Sequence, residues 1–116
     1  MILEEHSTSD GFLTLSVQQF DDGIAIGLAG LPWHTHPELL VGAYGDDEKE
    51  ALRGFISAIL RDKLLIVCSM AGDRLEAAWV EDDLQYALEA ASQNEAIKIR
   101  YWSGWLSSET DAPTPD

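Results

Sequence analysis

The densest polar cluster in the chain is Trp33-His34-Thr35-His36-Pro37-Glu38. Two imidazoles at i and i+2 on an extended segment point to the same side, as two ligands of one zinc ion must. The competing reading of the same residues is a loop held by histidine hydrogen bonds and by Pro37. Cys68, the single cysteine, lies in an apolar run with no base beside it, the setting of an inert buried thiol rather than of a nucleophile. No G-x-S-x-G elbow, Walker glycine loop or G-x-G-x-x-G fingerprint occurs, and Gly27-Leu28-Ala29-Gly30 ends a strand pattern without opening a helix, so nucleotide chemistry has no support. No local sequence points to a Ser-His-Asp assembly.

His34-Thr35-His36-Pro37 followed at a distance by Asp47 resembles the metal motif of the JAMM/MPN metalloprotease family. The resemblance spans Trp33 to Leu60 and extends to context, because the family's aspartate opens a helix, as Asp47 is expected to do here. It implies a zinc ion held by His34, His36 and Asp47, with a glutamate acting through the metal-bound water. The chain departs from that pattern in three ways. Tyr44 stands where the family has a serine, only Glu4 and Glu5 are available upstream as the catalytic carboxylate, and a simple hairpin precedes the histidines.

Charge narrows the possible partners. Lys and Arg total 7 against 21 Asp and Glu, a formal net charge of -14. A field of that sign repels nucleic-acid phosphates and anionic lipid and speeds encounter with a basic protein, although acidity also serves solubility alone. Two acidic runs, Asp46-Asp47-Glu48 with Glu50 and Glu81-Asp82-Asp83, precede helical patterns. Capping and the helix dipole account for part of each, and Glu48, Glu50, Asp82 and Asp83 are the candidate residues for binding a Lys- or Arg-rich partner. Trp102 and Trp105, beside Lys98 and Arg100, are candidate interface anchors, whereas Trp79 reads as core.

These residues need a scaffold, and 116 residues with 46% apolar content suit one hydrophobic core. We expect a single α+β domain over residues 1–106 and a disordered polar tail over 107–116. No apolar stretch approaches the length of a membrane span, the N-terminus lacks the pattern of a secretory signal, and the lone cysteine permits no internal disulfide. A cytoplasmic location is the expectation.

Gly11 to Phe20 alternates through Leu13, Leu15 and Val17, Asp21-Asp22-Gly23 supplies a turn, and Ile24, Ile26 and Leu28 resume the alternation to Gly30. The opposite face of that second strand holds only Ala25, Gly27 and Ala29, which predicts something bulky, such as a helix, close against it. Leu31 to Gly45 reads as a loop with a short extended piece at Leu39 to Val41. A helix over 46–62 follows, with Asp47 and Glu50 as a capping box and Leu52, Phe55, Ile56, Ile59 and Leu60 as its apolar stripe. Leu64 to Met70 and Arg74 to Glu81 form a second hairpin. A helix over 82–93 follows with its stripe on Leu84, Ala87, Leu88 and Ala91, and a last strand runs through Ile97, Ile99 and Tyr101. The order ββαββαβ predicts a five-stranded, mainly antiparallel sheet with both helices on one face.

Small size, acidity, this order and the absence of a local catalytic motif together resemble the small bacterial immunity proteins that neutralise secreted toxins. The resemblance is one of type over the whole chain, carried by the Gly30-to-Leu40 turn, Ala78-Trp79-Val80 and Arg100-Tyr101-Trp102-Ser103-Gly104. It implies a non-enzymatic domain without cofactor that blocks a basic toxin, and a generic protein-binding module fits the same features.

Overall fold

The structure, a computed structural model, describes residues 1–105, so the expected tail over 107–116 lies outside the described residues. The chain is α+β, with two helices and two antiparallel four-stranded sheets. Sheet A has the order β1-β2-β3-β4, formed by Ile2–Ser7, Thr14–Phe20, Gly23–Leu28 and His34–Thr35. Sheet B has the order β6-β5-β7-β8, formed by β5 at Leu65–Ala71, β6 at Arg74–Glu81, β7 at Ile97–Tyr101 and β8 at Gly104–Trp105. Helix α1 spans Glu48–Leu60 and helix α2 spans Leu84–Gln93.

All five expected strands are present, but they do not form the expected five-stranded sheet. The first hairpin, β2-β3, gains β1 on one edge and β4 on the other, and so builds a sheet of its own. The second hairpin, β5-β6, takes β7 beside β5. Strand β1 is an edge strand with Glu4 and Glu5 on successive faces, so it lacks the apolar alternation that marks a strand. The segment expected to be extended at Leu39 to Val41 is instead entered by a 3₁₀ turn over Pro37–Leu39, with Pro37 at its first position.

Nor do the helices share a face. Leu64, just before β5, and Ile66, Cys68 and Met70 on one side of β5 join Leu15, Val17, Ile26 and Leu28 of sheet A and Ala51, Phe55, Ile56 and Ile59 of α1 in the main core. The alternate residues Leu65 and Val67 pack with Ile99 and with Ala87 of α2. Successive strand side chains point to opposite faces, so α1 and α2 lie on opposite faces of sheet B. This explains why β5 is a continuous apolar run: both of its faces are covered.

Helix α1 is set by local chemistry. The Asp47 carboxylate accepts from the Glu50 N–H at 2.8 Å, and Glu50 Oε1 accepts in return from the Asp46 N–H at 3.3 Å. The first bond satisfies a donor that the first helical turn leaves free, and the second holds the residue just before the cap. The helix ends where Asp62 takes a left-handed conformation, φ 61°, and Lys63 N–H returns to the Ala58 carbonyl at 2.9 Å. Gly54 lets the helix press on the preceding loop, since a Cβ there would stand 2.1 Å from the Tyr44 carbonyl oxygen. Helix α2 is capped by Asp83, whose carboxylate accepts from the Tyr86 N–H at 3.1 Å. Its expected stripe is only half used: Ala87 is buried, while Leu84 and Leu88 remain 46% and 43% exposed.

Candidate functional site

The small-residue face of β3 is covered in a different way from that expected. At Gly27 the neighbouring β4 comes so near that a Cβ would lie 2.6 Å from the Trp33 carbonyl oxygen. Beyond it, among the described residues, no helix covers the face. Ser16, Ala25 and Gly27 instead floor an open cleft of about 470 Å³. Gln18, Phe20 and Asp22 border it from β2 and its turn, Pro32 and Trp33 from the loop leading into β4, His34 from β4 itself and His36 from just after it.

Both histidines of the candidate metal pair therefore reach one cleft, with their rings 5.2 Å apart and nearly perpendicular. His34 Nδ1 lies 3.0 Å from the Pro32 carbonyl and His36 Nδ1 lies 3.0 Å from the Ile24 carbonyl. A carbonyl oxygen only accepts, so each Nδ1 carries the proton, and in the neutral ring each Nε2 keeps its lone pair. Such backbone bonds hold a ring in one orientation and leave its other nitrogen for a ligand. Asp47 does not complete the set, because its carboxylate caps α1. Among the described residues no three His, Cys, Asp or Glu side chains converge to hold a metal ion. Glu4, one of the two carboxylates available for catalysis, sits on the inner face of β1 with His6 and Arg53. The Arg53 hydrogen bond, and after it that of His6, holds its carboxyl below the usual range. Glu5 pairs across to Ser16 on the outer face.

The acidic candidates occupy both helix entrances. Glu48 is exposed and uncommitted among the described residues, whereas Glu50 is part of the α1 capping box. Asp83 caps α2, while Asp82 borders a shallow depression shared with Tyr44 and Phe55. Burial first, and the Asp82 charge second, push the Tyr44 hydroxyl above its usual pKa. Because α1 and α2 lie on opposite faces of sheet B, the acidic ends do not belong to one helical layer as expected.

The tryptophans separate. Trp102 is buried in the main core, whereas Trp105 is exposed. Trp105 and Phe12 also flank the Arg100 guanidinium, whose carbon lies 5.0 Å and 5.3 Å from the two ring centres. Arg100 is fully buried and donates to Asp10 Oδ2, Tyr101 O and Trp102 O at 2.9–3.0 Å. Asp10 is held down to about 2 by the Thr8 side-chain hydrogen bond, the Phe12 N–H and then Arg100. Cys68 is buried, and loss of hydration pushes its thiol up to about 11, so it has no nucleophilic character at neutral pH.

The sequence carried one signal for the cleft, the run Ala25, Gly27 and Ala29. Gln18, Phe20 and Asp22 went unnoticed because no local motif marks them. Among the described residues no helix is long and apolar enough to cross a membrane. Comparison of the chain with protein-family models, curated proteins and solved structures finds no match.

Proposed function

We propose that the chain is a non-enzymatic acidic domain that binds a basic protein, in the manner of an immunity protein that blocks a toxin. The observation that carries this reading is an acidic surface left largely without cations. Among the described residues only Glu4, Asp10 and Glu76 form ion pairs with arginine, in a chain of net charge -14. Glu48 and Asp82 make no hydrogen bond to the protein among the described residues, so capping does not account for them. Of the two candidate tryptophans, Trp105 is the one exposed at the surface. Charges at an interface rim act mainly on the rate of encounter. With a basic partner recovered by pull-down, Glu48→Gln combined with Asp82→Asn should slow association several-fold at low salt and leave dissociation nearly unchanged. Equal rates and equal salt slopes for the two proteins would refute the reading.

A second reading, a zinc hydrolase built on His34, His36 and Asp47, draws support from the two Nδ1–carbonyl bonds that free both Nε2 atoms. It requires Asp47 to leave its cap. Elemental analysis after chelator-free purification separates the two: one zinc per chain, lost in His36→Ala, belongs to the hydrolase, and no stoichiometric zinc to the binding domain.

A further inference from the structure

We infer that the cleft on the outer face of sheet A is a binding site for a guanidinium group. The inference is independent of any macromolecular partner, since it rests on the cleft's own chemistry. A volume of about 470 Å³ falls in the range of small-ligand sites. Among the described residues no lysine or arginine lines it, and most of the uncommitted polar atoms are acceptors.

The two imidazoles spend their N–H donors on the backbone and present Nε2 lone pairs. Gln18 donates Nε2–H to Ser16 Oγ at 3.2 Å, which fixes its amide and leaves Oε1 without a protein donor among the described residues. The Asp22 carboxylate, at the turn between β2 and β3, has no hydrogen bond or ion pair there either. Phosphate, sulfate or carboxylate would meet the Asp22 carboxylate and the Gln18 Oε1 acceptor with no lysine or arginine to offset them, so the lining favours a cation over an anion. The complement of such a lining is a cation with several N–H donors. Phe20 adds an aromatic face at the cleft border, while the Trp33 ring turns inward against Phe55, and the floor is only Ser16, Ala25 and Gly27, which leaves room for a flat group. A guanidinium is planar, stacks on aromatic rings and directs a rigid fork of donors at separate acceptors, whereas an ammonium is a compact point charge that prefers its water.

The test is a titration of the full chain, followed through its amide resonances, with methylguanidinium, with N-acetyl-arginine methylamide and with the corresponding lysine compound. The arginine compound should shift the amides of Gln18, Ala25 and Gly27 saturably, and the lysine compound should bind at least about tenfold more weakly. Methylguanidinium binding as well as the arginine compound identifies a free small molecule as sufficient. A clear preference for the arginine compound identifies a side chain presented by a peptide. Asp22→Asn, an isosteric change on an exposed turn, should weaken binding about 10- to 100-fold, the worth of a hydrogen bond to a charged group. Gln18→Met should also weaken it, while Glu48→Gln with Asp82→Asn, outside the cleft, should leave it unchanged. No saturable shift at the cleft, equal binding of lysine and arginine, or equal weakening by the distant pair would overturn the inference. A basic partner that still binds Asp22→Asn normally bears on the protein-binding reading alone.

Discussion

Arg100 invites a quantitative test because its guanidinium is fully buried while its carboxylate partner Asp10 is 44% exposed. Replacing Arg100 with Met keeps most of the aliphatic volume and removes three donated hydrogen bonds. Asp10 regains water at its exposed side, but the carbonyls of Tyr101 and Trp102 lose their donor. An unsatisfied buried acceptor costs about 1–3 kcal/mol, so the two carbonyls set a penalty of about 2–6 kcal/mol. The apolar substitute offsets part of it, as when buried ion pairs are replaced by well-packed hydrophobes, leaving about 2–4 kcal/mol. Asp10→Asn keeps an oxygen acceptor in place and removes a charge that solvent already screens, so it should cost only about 1 kcal/mol. Urea denaturation of both single variants and the double variant measures these terms. The double variant should cost less than the sum, because Arg100→Met has already abolished the contact that Asp10→Asn weakens. A loss below about half a kcal/mol for Arg100→Met, or a larger loss for Asp10→Asn than for Arg100→Met, would refute the reasoning, which assigns the cost to orphaned carbonyls rather than to charge attraction.

Asp10, held down first by Thr8 and the Phe12 N–H and then by Arg100, also predicts acid behaviour. Asp10 is depressed to about 2, so its contribution is fully present above its unfolded pKa near ~3.9 and is lost as pH falls toward about 2. Asp10→Asn should remove that part of the acid-unfolding slope, read by circular dichroism between those limits. Gly54→Ala tests packing against propensity. A helical alanine alone would stabilise by about 1 kcal/mol, yet its Cβ would meet the Tyr44 carbonyl, so thermal unfolding should show a net loss of about 1–3 kcal/mol. Phe55→Ala should cost about 3–5 kcal/mol and Leu88→Ala less than about 1 kcal/mol in chemical denaturation. Comparable losses at the two positions would mean that the leucine stripe of α2 is covered after all.

Local physics was legible in the sequence and long-range pairing was not. The alternation of Leu13, Leu15 and Val17, the Asp21-Asp22-Gly23 turn and the Asp47–Glu50 capping box each act within a few residues, and each leads to the element found. Whether the two hairpins join edge to edge or form separate sheets depends on contacts between segments far apart in the chain, and periodicity carries no trace of them. The same limit hid the Arg100–Asp10 contact between residues 90 apart, whereas β1, paired with the adjacent strand β2, was hidden by its lack of apolar alternation. At α2 the stripe was read correctly as apolar, but docking through Ala87 and Ala91 brings the helix close enough to leave Leu84 and Leu88 outside. For the candidate site, the histidine pair was legible because its spacing is local. The cleft around it was not, since its border combines a strand, a turn and a loop.

The thin layer beneath sheet B has a consequence for how the molecule fails. Helix α2 is held by two alanines and the few apolar residues they touch, so detaching it costs far less than dissolving the main core. Detachment would bare Leu65, Val67 and Ile99 on neighbouring strands β5 and β7 while sheet B keeps its hydrogen bonding. A sheet with one apolar face newly wet and with β6 on its open edge is a template for adding further strands. The high negative charge then serves as a colloidal safeguard, keeping such opened molecules apart by mutual repulsion until the helix re-docks.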